Sequence, residues 1–168
     1  MSAETIHGSC VLLGAAGVVL RGASGAGKSR LGDDLVARVR RLGGYAAHVA
    51  DDRLVLSVRG GRLVAGPPAG LAGLWEVRGE GIQQVDHAPD AVVRLLVDLV
   101  AEKDMPRLPE AGEASTCLKG VMLARLAVPA PAPEGSVERV LAHLAGDLRF
   151  LAPGGPRNAP APGRSGEG

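Results

Sequence analysis

Short apolar runs punctuated by glycine dominate the first fifth of the chain. Cys10 to Leu13 and Val18 to Arg21 read as two short strands, with Gly14-Ala15-Ala16-Gly17 a turn between them by composition. The period then changes. From Lys28 to Leu42 the apolar residues Leu31, Leu35, Val36, Val39 and Leu42 fall near helical spacing, which predicts a helix with one face on a sheet. Asp34 and Arg38, four apart, are placed to pair on its exposed face. Gly43-Gly44 stops it. Tyr45 to Ala50 predicts a buried strand that delivers Asp51-Asp52 at its end. Arg53 to Val58 and Arg62 to Ala65 flank Gly60-Gly61, a two-residue hairpin signal. Pro67-Pro68 breaks the pattern, and the glycine-rich run Arg78-Gly79-Glu80-Gly81 predicts a loop. Val92 to Val100 is nearly continuously apolar and predicts a central strand. A strand over Val121 to Val128 and a helix over Val137 to Leu144 complete one α/β domain, taken as residues 1–151. From Ala152 onward proline and glycine dominate, so residues 152–168 are expected to be a disordered tail.

Composition narrows the class. Of 168 residues 46% are hydrophobic and 22% charged, enough apolar material for a core. The net charge of +1 and a total of one Trp, one Tyr and one Phe give no basic, aromatic-interleaved surface, so no nucleic-acid partner is expected. Cys10 and Cys117 are far apart and form neither a metal-ligand spacing nor a disulfide framework. The start, MSAETIHGSC, lacks a signal-peptide layout, and the longest apolar run, Val11 to Leu20, is about half of what a membrane span needs. The expectation is a cytoplasmic protein without a membrane partner.

The chemistry is concentrated in Gly22-Ala23-Ser24-Gly25-Ala26-Gly27-Lys28-Ser29, which matches the pattern G-x-x-x-x-G-K-[ST] between a strand and a helix. Glycines let such a loop curl until its N–H groups face phosphate oxygens, and the helix beginning there adds its positive dipole end. Lys28 is expected to reach the β- and γ-phosphates of a nucleotide, and the Ser29 hydroxyl to ligate magnesium. Asp51-Asp52 close an apolar strand soon afterwards, where ligand groups gather in α/β sheets. Taken alone, an Asp pair at a strand end is more often a turn. Glu76 alone would be a solvated loop residue, and a near-terminal histidine such as His7 is usually inert.

Together these pieces resemble one family. His7-Gly8, the loop GASGAGKS, Ala50-Asp51-Asp52 and Glu76-Val77-Arg78-Gly79-Glu80-Gly81-Ile82 look like the ordered motifs of bacterial HPr kinase/phosphorylase, over about residues 5 to 109. The resemblance covers the catalytic domain only, as in the family's short forms. It implies a P-loop domain of the HPr kinase C-terminal type, similar to that of PEP carboxykinase, with a mixed sheet and flanking helices. It implies transfer of the ATP γ-phosphoryl group to a serine of HPr or a nitrogen-system phosphocarrier, with Mg2+, in a hexameric assembly. By the same resemblance Asp52 is the base that takes the serine proton, and Asp51 beside it helps orient the metal. Lys28 stabilises the transferring group, Ser29 and Glu76 bind magnesium, and His7 assists near the phosphates. Arg107 stands where the family has an arginine after its central strand.

Three departures matter. Arg30 follows the loop serine where the family usually has an acidic residue. The stretch Val128 to Pro133 carries no arginine where longer members have a proline- and arginine-rich segment tied to dephosphorylation, so phosphorolysis is expected to be weak. The family's C-terminal helix gives way to the proline-rich tail. Two rivals are weighed: a nucleotide-sensing protein that binds without transfer, against which the presence of Asp52, Glu76 and His7 argues, and a small-molecule kinase, which should show an arginine-rich lid where the sequence has no such segment.

Overall fold

The structure, a computed structural model, describes residues 4–107 and 114–145; the predicted tail from residue 152 lies outside them. In chain order the strands are β1 (Glu4–His7), β2 (Ser9–Leu13), β3 (Ala16–Gly22), β4 (Ala46–Ala50), β5 (Arg53–Arg59), β6 (Arg62–Gly66), β7 (Leu74–Val77), β8 (Gly81–Gln84), β9 (Ala91–Ala101), β10 (Ser115–Leu118) and β11 (Val121–Ala130). Helix α1 (Lys28–Arg41) follows β3, a 3-10 turn (Glu102–Asp104) follows β9, and helix α2 (Ser136–His143) follows β11. None of these helices is long and apolar enough to cross a membrane.

The strongest apolar runs occupy the middle of a nine-stranded mixed sheet. β9 is parallel to β3 on one side and to β11 on the other. β2 and β4 continue the sheet beyond β3, each antiparallel to its neighbour, so β4 runs in the direction of β3. Along its first residues β9 pairs instead with β6, at Val92 and Ala91, and β6, β5 and β1 follow in antiparallel order. The sheet therefore divides along β9 and curls.

Curling explains the unbroken apolar pattern of the central strands. Val18, Leu20, Leu95 and Val97 face Leu31, Leu35 and Val39 of α1 and Val140 of α2. Val19, Val93 and Leu96 face Leu54 and Leu56 of β5 and Leu63 of β6. A strand covered on both faces needs apolar side chains at every position, not at alternate ones. Each such Val or Leu, fully buried, contributes about 1.5–3 kcal/mol. Both helices thus flank one face, and strands cover the other.

Local signals set the connections. Gly60 and Gly61 have φ of 56° and 75°, the two left-handed residues of a tight hairpin, and Arg59 pairs with Arg62 across them. Helix α1 stops where the Gly43 and Gly44 amides donate to the carbonyls of Arg40 and Val39. Two expectations change. The glycine-rich run after Val77 is the turn of a two-stranded hairpin, β7–β8, rather than an open loop. Arg38 pairs with Glu138 of α2 at 3.7 Å, not with Asp34, because α2 packs alongside α1 and brings a carboxylate to it.

Candidate active site

The carboxyl ends of β3, β4 and β11 open on one cleft of about 1190 Å³. His7, Ser24, Gly25, Gly27, Lys28 and Ser29 line it, as do Asp51, Asp52 and Glu76. Pro131 to Glu138, leading from β11 into α2, form its opposite wall. Motifs scattered over seventy positions of sequence therefore meet in one place, at the strand ends where α/β sheets collect ligands.

The loop after β3 turns its backbone towards the cleft. Gly25 and Gly27 have φ of 79° and 94°, and no atom lies within 4 Å of where their Cβ atoms would be, so the backbone itself faces the open cleft. The Lys28 ammonium donates to the Gly22 and Ala23 carbonyls, both at 3.0 Å, which folds the side chain back over the loop. Ala26 is buried behind the loop, its amide donating to the Ala23 carbonyl at 3.0 Å. Lys28 is itself 7% exposed, and the first turn of α1 carries no acidic side chain to compete for it.

Asp51 is the knot of the site. Its Oδ1 accepts hydrogen bonds from the Ser9 hydroxyl at 2.6 Å and the Asp52 amide at 3.0 Å. Its Oδ2 accepts one from the Glu76 amide at 2.9 Å. The Ser29 hydroxyl lies 2.9 Å and 3.0 Å from the two oxygens. One carboxylate thus ties together β2, α1, the turn after β4 and the β7–β8 hairpin. A hydroxyl has one proton and two lone pairs. Because Ser29 gives its proton to Asp51, its lone pairs stay available to a cation.

Asp52 differs in every respect. Its side chain is 73% exposed, and its backbone is left-handed at φ 67°, uncommon for a residue with a Cβ. The conformation is held from both sides: the Gly8 amide donates to the Asp52 carbonyl at 3.0 Å and the Arg53 amide to that of Asp51 at 2.8 Å. Pairing of β1 with β5 sets His7 opposite Arg53, which brings His7 Nδ1 to 3.2 Å from Asp52 Oδ1. The turn thus presents an exposed carboxylate, beside an imidazole, to the cleft.

The donor set suits a hard cation. Among the described residues no three His, Cys, Asp or Glu side chains cluster as a metal cage. Magnesium does not require one, since it keeps waters and binds through one or two protein oxygens together with substrate phosphates. Ser29, Asp51 and Glu76 supply oxygen donors beside the glycine-rich loop, so the residues present fit the ion and a nucleotide. Arg107 is exposed after the 3-10 turn and is not among the residues that line the cleft.

The sequence reading missed several groups. Ser9 is fully buried. His48 of β4 holds Asp33 of α1 at 2.7 Å and lies with its ring 4.3 Å from that of Trp75. Trp75, 1% exposed, fills the space over Gly32, where a Cβ would come within 2.9 Å of its ring. This packing fastens the hairpin that carries Glu76 onto α1. On the other face of the sheet, Asp98 of β9 accepts from Arg21 of β3 at 2.8 Å and from Arg125 of β11 at 2.7 Å. Burial pushes the Asp98 carboxyl up, but the hydrogen bonds and charges of the two arginines outweigh it and hold it below the usual carboxylate value.

A mixed α/β domain with a large curled sheet and a glycine-rich strand-to-helix turn is the class these features define. Residues 1–130 match the model of the HPr Serine kinase C-terminal domain, and the chain belongs to that family. The HPr kinase/phosphorylase of Limosilactobacillus reuteri is 31% identical over 137 residues, covering 75% of this chain and 41% of that protein. The Lactococcus lactis protein of the same name is 42% identical over 82 residues, covering 48% of this chain and 25% of its own length. The chain therefore spans at most about two fifths of these relatives. The solved structure of the HPr(Ser) kinase/phosphatase from Coxiella burnetii superposes with a TM-score of 0.68 at 22% identity, over 88% of this chain and 91% of that one, and shares its fold.

Proposed function

We propose that the chain is an ATP- and Mg2+-dependent protein serine kinase acting on HPr or a related phosphocarrier. The observation that carries this reading is the meeting of the phosphate-facing loop, a donor-saturated Asp51 and an exposed Asp52 in one cleft. Family membership supports the kinase class, and the names of the relatives point to HPr as the acceptor.

In the forward step Asp52 takes the proton from the acceptor serine as its oxygen bonds the γ-phosphorus. The bond from that phosphorus to the bridging oxygen breaks, and ADP leaves with the electron pair. Lys28 turns from the Gly22 and Ala23 carbonyls to the β- and γ-phosphate oxygens and stabilises the charge spread over them. Ser29 and Glu76 would hold magnesium, which supplies further neutralisation of the phosphate charge when bound. His7 steadies Asp52 and faces the same reacting centre.

The reverse reaction, phosphate displacing serine to form pyrophosphate, needs a second anion held in line. The wall from Pro131 to Pro133 offers it no cation. Arg30, Arg38, Arg41 and Arg78 line other parts of the cleft, and with none on this wall forward transfer is expected to exceed phosphorolysis. The nucleotide step is tested by calorimetry with ATP on the wild type and Lys28→Ala. The variant should lose most of its affinity, and equal affinities would remove the loop from the account.

A further inference from the structure

We propose that Ser9 is a positioning residue of the phosphoryl-transfer site, acting through Asp51 to aim the Ser29 hydroxyl at the metal. The proposal rests on the kinase reading above. Ser9 begins β2, a strand otherwise made of Cys10, Val11, Leu12 and Leu13, and it is fully buried. A buried hydroxyl without a strong partner costs free energy in such a place. Its partner is the Asp51 carboxylate, 42 positions away, at 2.6 Å, the shortest of the bonds that Asp51 accepts. A short hydroxyl-to-carboxylate bond belongs to the strong, charge-assisted kind.

The other donors to Asp51 cannot do this work alone. The Asp52 and Glu76 amides come from an exposed turn and from the hairpin. Ser29 reaches both oxygens and so does not by itself fix the plane of the carboxylate. Ser9 comes from within the sheet, and it pins Oδ1. With Oδ1 pinned and Oδ2 held by Glu76, the plane of the carboxylate is set, and Ser29 gives its proton to that fixed edge. Its lone pairs then face the cleft. Without the Ser9 bond Oδ1 keeps only the longer bond from the Asp52 amide, which comes from an exposed turn, so the carboxylate is held less firmly and the aim of the Ser29 oxygen loosens.

Partners that orient metal ligands typically change metal affinity by about 10–100-fold when removed. The probe is Mn2+ with AMP-PNP, a non-hydrolysable ATP analogue, titrated into the full chain by calorimetry beside metal-free AMP-PNP. Ser9→Ala should weaken binding of the Mn2+ complex by about tenfold or more and leave metal-free AMP-PNP binding unchanged. Ser9→Cys keeps the volume with a weak donor. It should shift binding in the same direction, and it carries the comparison if the alanine variant does not fold. In an Asp51→Asn background the Ser9 substitution should add nothing further, since both act through one carboxylate. Equal Mn2+ complex affinity in a folded Ser9 variant, or an equal loss with and without metal, would overturn the role. A wild type that binds no metal–nucleotide complex would overturn the kinase reading and the Ser9 role together, and so is distinguishable from failure of the role alone.

Discussion

Two carboxylates stand near the carboxyl ends of strands in one sheet, Asp51 after β4 and Asp98 in β9, with β2 and β3 between them, and the chain surrounds them differently. Asp98 is clamped between the guanidinium groups of Arg21 and Arg125, which tie the three parallel strands together on the face away from the helices. Asp51 receives only neutral donors, two hydroxyls and two amides. Paired cations spend a carboxylate on structure, because its charge is cancelled where it stands. Neutral donors hold a carboxylate in place and leave its negative charge to act on whatever enters the cleft. The same side chain type is thus a strand clamp within the sheet and, in the proposed reading, an organiser of cation ligands at the strand end.

The comparison predicts opposite outcomes for equivalent substitutions. The largest effect is expected beside Asp51: Asp52→Asn keeps the shape and removes the proton acceptor, so transfer should fall by about 10²–10⁴-fold while ATP still binds. Retained turnover would mean that another group takes the serine proton. Asp51→Asn turns an acceptor of four donors into a group with donors of its own. The magnesium requirement should rise by about 10–100-fold with the fold intact, read from the magnesium dependence of transfer. An unmoved curve would make Asp51 no different from Asp98.

Asp98→Asn should do the reverse. It leaves two half-buried guanidinium groups short of charge and should cost about 1–3 kcal/mol of stability, with activity per folded molecule unchanged. Because the folded Asp98 carboxyl lies below its ordinary value of about 3.9, its contribution is complete above that pH and is lost as pH falls through the lower, folded value. Denaturant melts of wild type and Asp98→Asn should therefore differ by a constant amount from about pH 5 to 8 and converge in acid. A gap that instead grows on acidification would contradict the clamp.

The smallest change is Gly32→Ala. The added methyl meets Trp75 at 2.9 Å, and displacing the ring should destabilise by about 1–3 kcal/mol and disturb the hairpin that bears Glu76. A thermal melt and a magnesium titration read the two effects separately.

What was legible in the sequence follows burial and chain locality. The parallel strands stood out because both faces are covered, the helix because its stripe of Leu31, Leu35 and Val39 is regular, and the phosphate loop because its chemistry lies within eight consecutive residues. β1, β8 and β10 were missed because they are short, exposed or half-exposed strands whose residues carry no apolar alternation. The Asp34–Arg38 pair failed because a neighbouring helix offered Arg38 a different partner. Ser9, His48 and Trp75 were invisible for a third reason. Ser9 and Asp51 are 42 positions apart, and nothing local in Ser-Cys-Val-Leu-Leu announces the partner. The one available signal was a hydroxyl opening an apolar strand next to the His7-Gly8 motif.

The central claim is transfer of a phosphoryl group to a protein serine, and intact-mass measurement of the acceptor tests it most directly. Purified chain, ATP and magnesium are mixed with HPr-type phosphocarriers of the sugar and nitrogen systems, and the masses are followed in time. The account predicts that one phosphocarrier gains a single phosphoryl group on serine with the wild type and none with Asp52→Asn. A wild type that binds ATP and magnesium yet leaves every phosphocarrier at its starting mass would contradict it.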